Sequence, residues 1–315
     1  MKILIADEIA DSAVKLLKAD YDVVIHHYSP NELLEEIYKF QALIVRSATK
    51  VPRLVIEKGI NLKVIGRAGV GIDNIDIIAA TEKKIAVVNS PQASTISVAE
   101  MALGFMLALS RKLIKGNQET KLGKWPKNAL MGTELYAKTL GFVGCGRIGA
   151  EVAKRAQAFG MRCIAYDPYL PKEIAKSIKV DLFDDLNQVL SSSDFISIHA
   201  LLTDETYGMI GEKEISIMKP SSFVINCARG GIIDEKALYY ALVNQKIQGA
   251  ALDVFETEPV KENKLFELEN VYVTPHIAAS TIEAQERAGN IIAEQIKLVL
   301  QGKRPEFCVN ANIFN

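Results

Sequence analysis

The stretch LGFVGCGRIG, Leu140–Gly149, decides how the rest of this 315-residue chain is read. An apolar run closes on Gly144, Gly146 and Gly149 in the spacing G-x-G-x-x-G, and a helical pattern, RIGAEVAKRAQAFG, follows at once. A strand that feeds a glycine turn and opens a helix brings backbone N–H groups and the positive end of a helix dipole to one point, which suits a pyrophosphate. Gly144 would permit the tight turn, Gly146 the close approach of backbone to phosphate, and Gly149 the packing of helix on strand. Arg147 and Ile148 complete the loop. The next strand, RCIAY, runs into Asp167, 23 residues beyond Gly144. A carboxylate there would accept hydrogen bonds from ribose hydroxyls and repel a 2′-phosphate, and no arginine follows it closely. The expected cofactor is therefore NAD rather than NADP.

Such a loop often opens a chain, yet here it begins near the middle. Upstream lie short apolar runs at 2–6, 22–26, 42–45, 63–66 and 86–89, separated by amphipathic segments such as DSAVKLLKA and NELLEEIYKF. Downstream a second series follows at 139–143, RCIAYD, 195–199, 222–226, 249–254 and 270–275. Alternation of this kind gives βαβ units and parallel sheets, so the expected fold class is α/β with two doubly wound parallel-sheet domains. Two segments echo each other, ASTISVAE (93–100) and ASTIEAQE (279–286). Ser97-x-x-Glu100 and Ser280-x-x-Glu283 both fit a capping box, and each precedes a long helical pattern. Read as crossings between domains, they place a nucleotide domain at 95–283, inserted into a substrate domain made of 1–94 and 284–315. The segment 115–135 is polar and poorly periodic. It reads as an extended excursion anchored by Trp125, the only tryptophan.

Composition narrows the class further. Hydrophobic residues make up 49% and charged residues 24%, and 37 basic residues nearly balance 38 acidic ones. No basic face is implied, so nucleic acid is not an expected partner. The longest apolar stretch, MALGFMLAL, is far too short to cross a bilayer, and MKILIADEIAD reads as a first strand rather than a signal peptide. The four cysteines, Cys145, Cys163, Cys227 and Cys308, are scattered with no C-x-x-C pair. That pattern implies reduced thiols in a cytoplasmic protein, with neither a disulfide framework nor a metal site.

In parallel sheets, ligands bind beyond the carboxyl ends of the strands. There stand Arg46 and Ser47, Arg67 before AGVG, Arg229 before Gly230 and Gly231, Glu256 and Glu258 in FETEP, and His276. Arginines, a carboxylate and a histidine at strand ends of both series suggest a cleft for an anionic substrate. Arg229 would grip a carboxylate with its planar fork and polarise the adjacent carbonyl. Gly69 and Gly71 would offer backbone N–H groups to the same anion. Hydride transfer at carbon needs proton transfer at oxygen, which suits His276. A neighbouring carboxylate would favour the imidazolium form. Glu258 is preferred because Pro259 biases it to an extended conformation. His199 also ends a strand, but no acid singles it out, and His26 and His27 look peripheral.

These residues resemble the NAD-dependent D-2-hydroxyacid dehydrogenases through VRSATKV, GRAGVGIDNID, MGTEL, GRIG, FGM, YDP, NCARGGIIDE, GAALDVFETEP and PHIAAST, which together span nearly the whole chain. The resemblance implies an NAD-binding Rossmann domain inserted into a flavodoxin-like substrate domain. It implies that Arg229, Glu258 and His276 form a catalytic triad. It also implies that Arg46, Ser47, Arg67 and the loop Gly69, Val70 and Gly71 bind a small anionic 2-hydroxy acid, 3-phosphoglycerate or a relative. Cys227, Ala228, Asp253 and His276 are implied to line the nicotinamide. The resemblance further implies a homodimer or homotetramer formed through the nucleotide domain, with Lys127 reaching a neighbouring subunit's substrate phosphate. Ser94 stands where the family often has an asparagine, and Leu201 replaces a usual proline. The chain ends at Asn315, where many relatives carry a further regulatory domain, which puts feedback inhibition by serine in doubt. Other substrates of the same chemistry (glyoxylate, hydroxypyruvate) and an NAD-sensing corepressor role stay open as readings of the sequence.

Overall fold

The computed structural model describes residues 1–314, which form two compact units: residues 1–95 with those from 280 onward, and residues 96–279. In the first unit the order is β1 (Lys2–Ile5), α1 (Asp11–Lys18), β2 (Asp22–Ile25), α2 (Pro30–Glu36), β3 (Ala42–Val45), α3 (Arg53–Lys58), β4 (Val64–Arg67), α4 (Ile77–Glu82) and β5 (Ala86–Asn89). The chain then runs through the second unit as α5 (Thr95–Ser110), α6 (Leu113–Lys121), β6 (Thr139–Val143), α7 (Arg147–Ala158), β7 (Arg162–Tyr166) and α8 (Lys172–Ser177). It continues as β8 (Asp181–Phe183), α9 (Leu186–Ser192), β9 (Phe195–Ile198), α10 (Glu212–Ser216), β10 (Phe223–Asn226), α11 (Glu235–Val243), β11 (Gly249–Leu252) and β12 (Val271–Val273). It returns to the first unit with α12 (Ile282–Leu300).

Both sheets are wholly parallel. The first has five strands in the order β2-β1-β3-β4-β5, and the second has seven in the order β12-β11-β10-β9-β6-β7-β8. These are a flavodoxin-like order and a Rossmann order with one added strand, so the fold class is the expected one. In the second sheet the order reverses between β6 and β9, and the glycine loop leaves β6 at that point.

Strands buried on both faces need apolar residues throughout, which is why they show as unbroken apolar runs. In β1, Ile3 and Ile5 pack on Leu17 of α1 and on Ile292 and Ile296 of α12, while Leu4 joins Leu33, Phe40 and Ile56 on the opposite face. Gly66 in β4 lets α12 come close: a Cβ there would lie 2.8 Å from the side chains of Ile292 and Ile296. In the second unit, α5 is apolar on most of its surface because it is buried. Val98, Ala102, Phe105 and Met106 share one cluster with Leu140, Phe142 and Ile225.

After α12 the tail turns back onto β5. Gln295 accepts the N–H groups of Glu306 and Phe307 on Oε1 at 2.7 and 3.0 Å. Cys308 forms an antiparallel bridge with Val88, and Val309 N–H donates to the Val87 carbonyl at 2.8 Å. Buried Asn310 accepts Val87 N–H at 2.8 Å and donates to the Ile85 carbonyl at 2.9 Å. The open edge of the sheet is thereby paired and covered.

Four local expectations are corrected. Ser97 does not cap a helix: α5 already begins at Thr95, and Ser97 lies buried within its first turns. Ser280 is not the cap of α12 either; Thr281 is, its hydroxyl accepting from Ala284 N–H at 3.1 Å. The segment 115–135 is not wholly extended, because α6 occupies Leu113–Lys121. Its stop signal is Gly123, in the left-handed region at φ 74°, with Lys124 N–H bonded back to the Glu119 carbonyl at 3.0 Å. Trp125 is no anchor in this chain, being 74% exposed. One strand, β8, was too short and too exposed to register as an apolar run.

Among the described residues no helix is long and apolar enough to cross a membrane, and no group of three or more His, Cys, Asp or Glu side chains is arranged to hold a metal ion.

Candidate active site

At the carboxyl end of β6, Gly144 takes φ 78°, and a Cβ there would lie 2.8 Å from the Ala200 backbone nitrogen, so the turn admits only glycine. Gly146 caps α7, and a Cβ on it would meet nothing within 4 Å. The approach to the α7 N-terminus is therefore open, and its first N–H groups, from Arg147 onward, have no carbonyl a turn earlier to bond. A Cβ on Gly149 would sit 3.3 Å from Cys145 Sγ and from the Gly144 carbonyl, the close packing expected of the third glycine. Asp167, half-buried, accepts Cys145 N–H on Oδ2 at 2.8 Å and Tyr169 N–H on Oδ1 at 2.9 Å. Each oxygen keeps lone-pair capacity for a ribose hydroxyl. Open space over Gly146, an unpaired helix start and a loop-bound carboxylate are together the donor and acceptor set an adenine dinucleotide needs.

The nearby thiols are inert. Burial pushes the Cys145 thiol up to about 12 and that of Cys163 up to about 11, and it raises the Cys227 thiol further. His199, beneath the glycine loop, is held by Ser197 through Nε2 at 2.8 Å, and burial lowers its pKa to about 4. It is neutral at ordinary pH and resists taking up a further proton.

His276 is placed differently. Its Nδ1 lies 2.7 Å from Glu258 Oε2, and both side chains reach solvent. Glu258 is fixed from behind by Phe255 N–H, which donates to Oε1 at 3.0 Å. The other acid of the FETEP segment is engaged elsewhere: Glu256 accepts Glu235 N–H at 3.1 Å, and its own N–H donates to Glu235 at 2.6 Å. His276 sits at φ 54° in a turn after β12, its N–H donating to the carbonyls of Asp253 and Thr274 at 2.8 and 3.0 Å. The Asp253 side chain, wholly buried, holds the far side of that turn. It accepts the N–H groups of Ile277 and Ala278 at 2.8 Å each, together with the Thr274 hydroxyl. This anchoring role was not visible in the sequence, where the resemblance implied only that Asp253 lines the nicotinamide.

Arg229 follows β10 in a turn tied by buried Asn226, which accepts Ala228 N–H at 3.0 Å and donates to the Arg229 carbonyl at 2.9 Å. Asn226 is a second supporting residue that no sequence signal picked out. A Cβ on Gly230 would fall 1.8 Å from the Phe255 carbonyl, so the Arg229 turn lies directly against the segment that leads to Glu258.

The first unit carries its own set. Asp7 is buried and accepts Arg46 N–H at 2.6 Å, Thr49 N–H at 3.1 Å and the Thr49 hydroxyl at 2.7 Å, which fixes the strand end bearing Arg46 and exposed Ser47. Asn74 closes the same turn by donating to the Arg46 and Thr49 carbonyls. The Arg67 guanidinium lies against Gly69, where a Cβ would come 1.5 Å from its Nη1. Ser94 is buried, Leu201 is 76% exposed, and Lys127 is exposed in the second unit.

Known proteins resemble this chain in sequence and fold. Residues 103–278 match the family model described as D-isomer specific 2-hydroxyacid dehydrogenase, NAD binding domain. A D-3-phosphoglycerate dehydrogenase of Methanocaldococcus jannaschii is 54% identical over 98% of this chain, which spans 59% of that protein's length. A hydroxypyruvate reductase of Thermotoga maritima is 47% identical over 94% of this chain and 97% of its own. The crystal structure of an Aquifex aeolicus D-lactate dehydrogenase with NAD and lactic acid superposes with a TM-score of 0.83, at 31% identity over 96% of each chain.

Proposed function

The chain belongs to the D-isomer specific 2-hydroxyacid dehydrogenase family, and from that premise we propose that it oxidises 3-phospho-D-glycerate at C2 to 3-phosphohydroxypyruvate, a step toward serine, with NAD as cofactor. The observation that carries the reading is the 2.7 Å pair of His276 and Glu258 in the unit that also holds the glycine loop. NAD, held at Gly144–Gly149 and Asp167, supplies the hydride acceptor when bound. With Nδ1–H directed at Glu258, the lone pair of His276 lies on Nε2, free to take the C2 hydroxyl proton. Glu258 balances the positive charge that the ring then carries. Arg229, permanently charged, orients the substrate carboxylate. Arg46, Ser47 and Arg67 are the phosphate-binding groups in this reading, the loop 69–71 receives the carboxylate, and Lys127 serves the phosphate of a neighbouring subunit.

A second reading keeps the chemistry with an unphosphorylated substrate. The Thermotoga hydroxypyruvate reductase favours it, because this chain covers nearly that whole protein. Steady-state rates separate the two. A kcat/KM for 3-phosphoglycerate at least about tenfold above that for glycerate supports the first. Equal values, or a preference for glycerate and hydroxypyruvate, move the assignment to the second.

The same reading includes a homodimer or homotetramer in the cytoplasm, with no nucleic-acid partner. The four thiols form no disulfide among the described residues, as a reducing compartment requires. Between residues 113 and 136, Leu122 is 70% exposed, Trp125 74%, Met131 75% and Tyr136 70%, an apolar concentration that a second copy would cover. Trp125→Glu combined with Met131→Glu is expected to shift the species seen by sedimentation velocity from oligomer to monomer. A wild-type monomer would refute this part.

A further inference from the structure

We propose that Asn89 is a positioning residue for substrate, aiming one backbone N–H group of the 69–71 loop, and that the tail at Phe307–Val309 braces it. This deepens the reading above and rests on its assignment of the 69–71 loop to the substrate carboxylate.

The loop leaves β4 just after Arg67. Asn89, the last residue of β5, donates through Nδ2 to the Val70 carbonyl at 2.8 Å. The next residue, Ser90, donates its N–H to the Gly69 carbonyl at 3.0 Å. In a planar trans peptide the C=O and the following N–H point in opposite directions. Fixing the Val70 carbonyl toward Asn89 therefore turns Gly71 N–H away from β5. Fixing the Gly69 carbonyl toward Ser90 turns Val70 N–H the same way. No hydrogen bond to another described residue uses either N–H. Two successive N–H groups facing one way make a seat for an anionic oxygen, and the Arg67 guanidinium lies against the same loop at Gly69.

The aim of Asn89 depends in turn on where β5 ends. Asn89 N–H donates to the Phe307 carbonyl at 3.3 Å, and Val309 N–H donates to Val87. Gln295 of α12 holds the tail through the N–H groups of Glu306 and Phe307. The tail is thus a strut between α12 and the strand end that carries Asn89. An amide is the side chain this task needs: alanine leaves the Val70 carbonyl unheld, and aspartate sets a carboxylate against a carbonyl oxygen.

The test is steady-state kinetics with the best 2-hydroxy acid of the panel at saturating NAD. Asn89→Ala is expected to raise KM for the hydroxy acid about tenfold, with kcat and KM for NAD within about twofold of wild type. Asn89→Asp should be at least as impaired. Gly71→Pro deletes the aimed N–H itself, so the Asn89→Ala/Gly71→Pro double variant should be no worse than Gly71→Pro alone. Val309→Pro, which cuts the tail from β5, should give a smaller rise of the same kind. If Gly71→Pro raises KM while Asn89→Ala does not, positioning by Asn89 is refuted and the site reading stands. If Gly71→Pro leaves KM unchanged, the loop is not the carboxylate seat and both fall. A uniform loss of kcat and of both KM values in Asn89→Ala, or wild-type KM in Asn89→Asp, overturns the proposal. An unchanged KM in Val309→Pro removes the brace.

Discussion

His276→Ala is expected to lower kcat by about a thousandfold while leaving the dissociation constant for NAD within about twofold of wild type. The imidazole is placed to carry a proton: it is solvent-accessible and ordered through Nδ1 by Glu258 at 2.7 Å. His199 cannot stand in for it, because burial keeps that ring neutral, with a pKa near 4. In the proposed reading NAD is held chiefly by Gly144–Gly149 and Asp167, so cofactor affinity should survive. Glu258→Gln should fall between the two, about ten- to a hundredfold down, since glutamine can still accept from Nδ1–H but carries no charge for the imidazolium. Stopped-flow absorbance at saturating substrate measures kcat, and quenching of protein fluorescence by NAD measures binding. Turnover retained across pH in His276→Ala would remove this residue from the chemistry.

Asp253→Ala should be damaging in a different way, lowering turnover by at least about a hundredfold and destabilising the second unit by about 3–5 kcal/mol. The carboxylate is wholly buried, and three donors converge on it: Ile277 N–H, Ala278 N–H and the Thr274 hydroxyl. Removing it leaves all three desolvated without a partner, and it frees the turn in which His276 is held at φ 54°. Asp253→Asn keeps the shape but points an NH2 group at N–H donors, so it should recover only part of the loss. Urea unfolding followed by fluorescence reads the stability, and the same kinetic assay reads turnover. A stable, fully active Asp253→Ala would show that the turn holds itself.

What the sequence reveals tracks the kind of physical constraint at each place. The buried parallel strands show as apolar runs because both faces must be apolar, and the glycine loop shows because only glycine tolerates the backbone at Gly144 and the space needed over Gly146. Helix α6 hides because it buries no residue on any face, so no apolar stripe marks it, and Gly123 was its only signal. The caps at Ser97 and Ser280 were misplaced because a hydroxyl can cap a helix without a glutamate three residues on, as Thr281 does with Ala284 N–H, and tertiary packing selects the start. Glu258 was legible over Glu256 through the proline that follows it, and the structure adds that Glu256 is locked to Glu235. The supporting roles of Asp253, Asn226 and Asn89 were illegible, because each bonds to backbone groups that become neighbours only when the strands align.

The central claim is that this chain moves a hydride from C2 of a 2-hydroxy acid to NAD while His276 takes the hydroxyl proton. Incubating the protein with NAD and 3-phosphoglycerate deuterated at C2, then weighing the recovered cofactor by mass spectrometry, tests it most directly. The account predicts that the reduced nicotinamide carries the deuterium in the wild type, and that almost none forms with His276→Ala. Reduced cofactor that forms without the label, or equal labelling by both proteins, would contradict it.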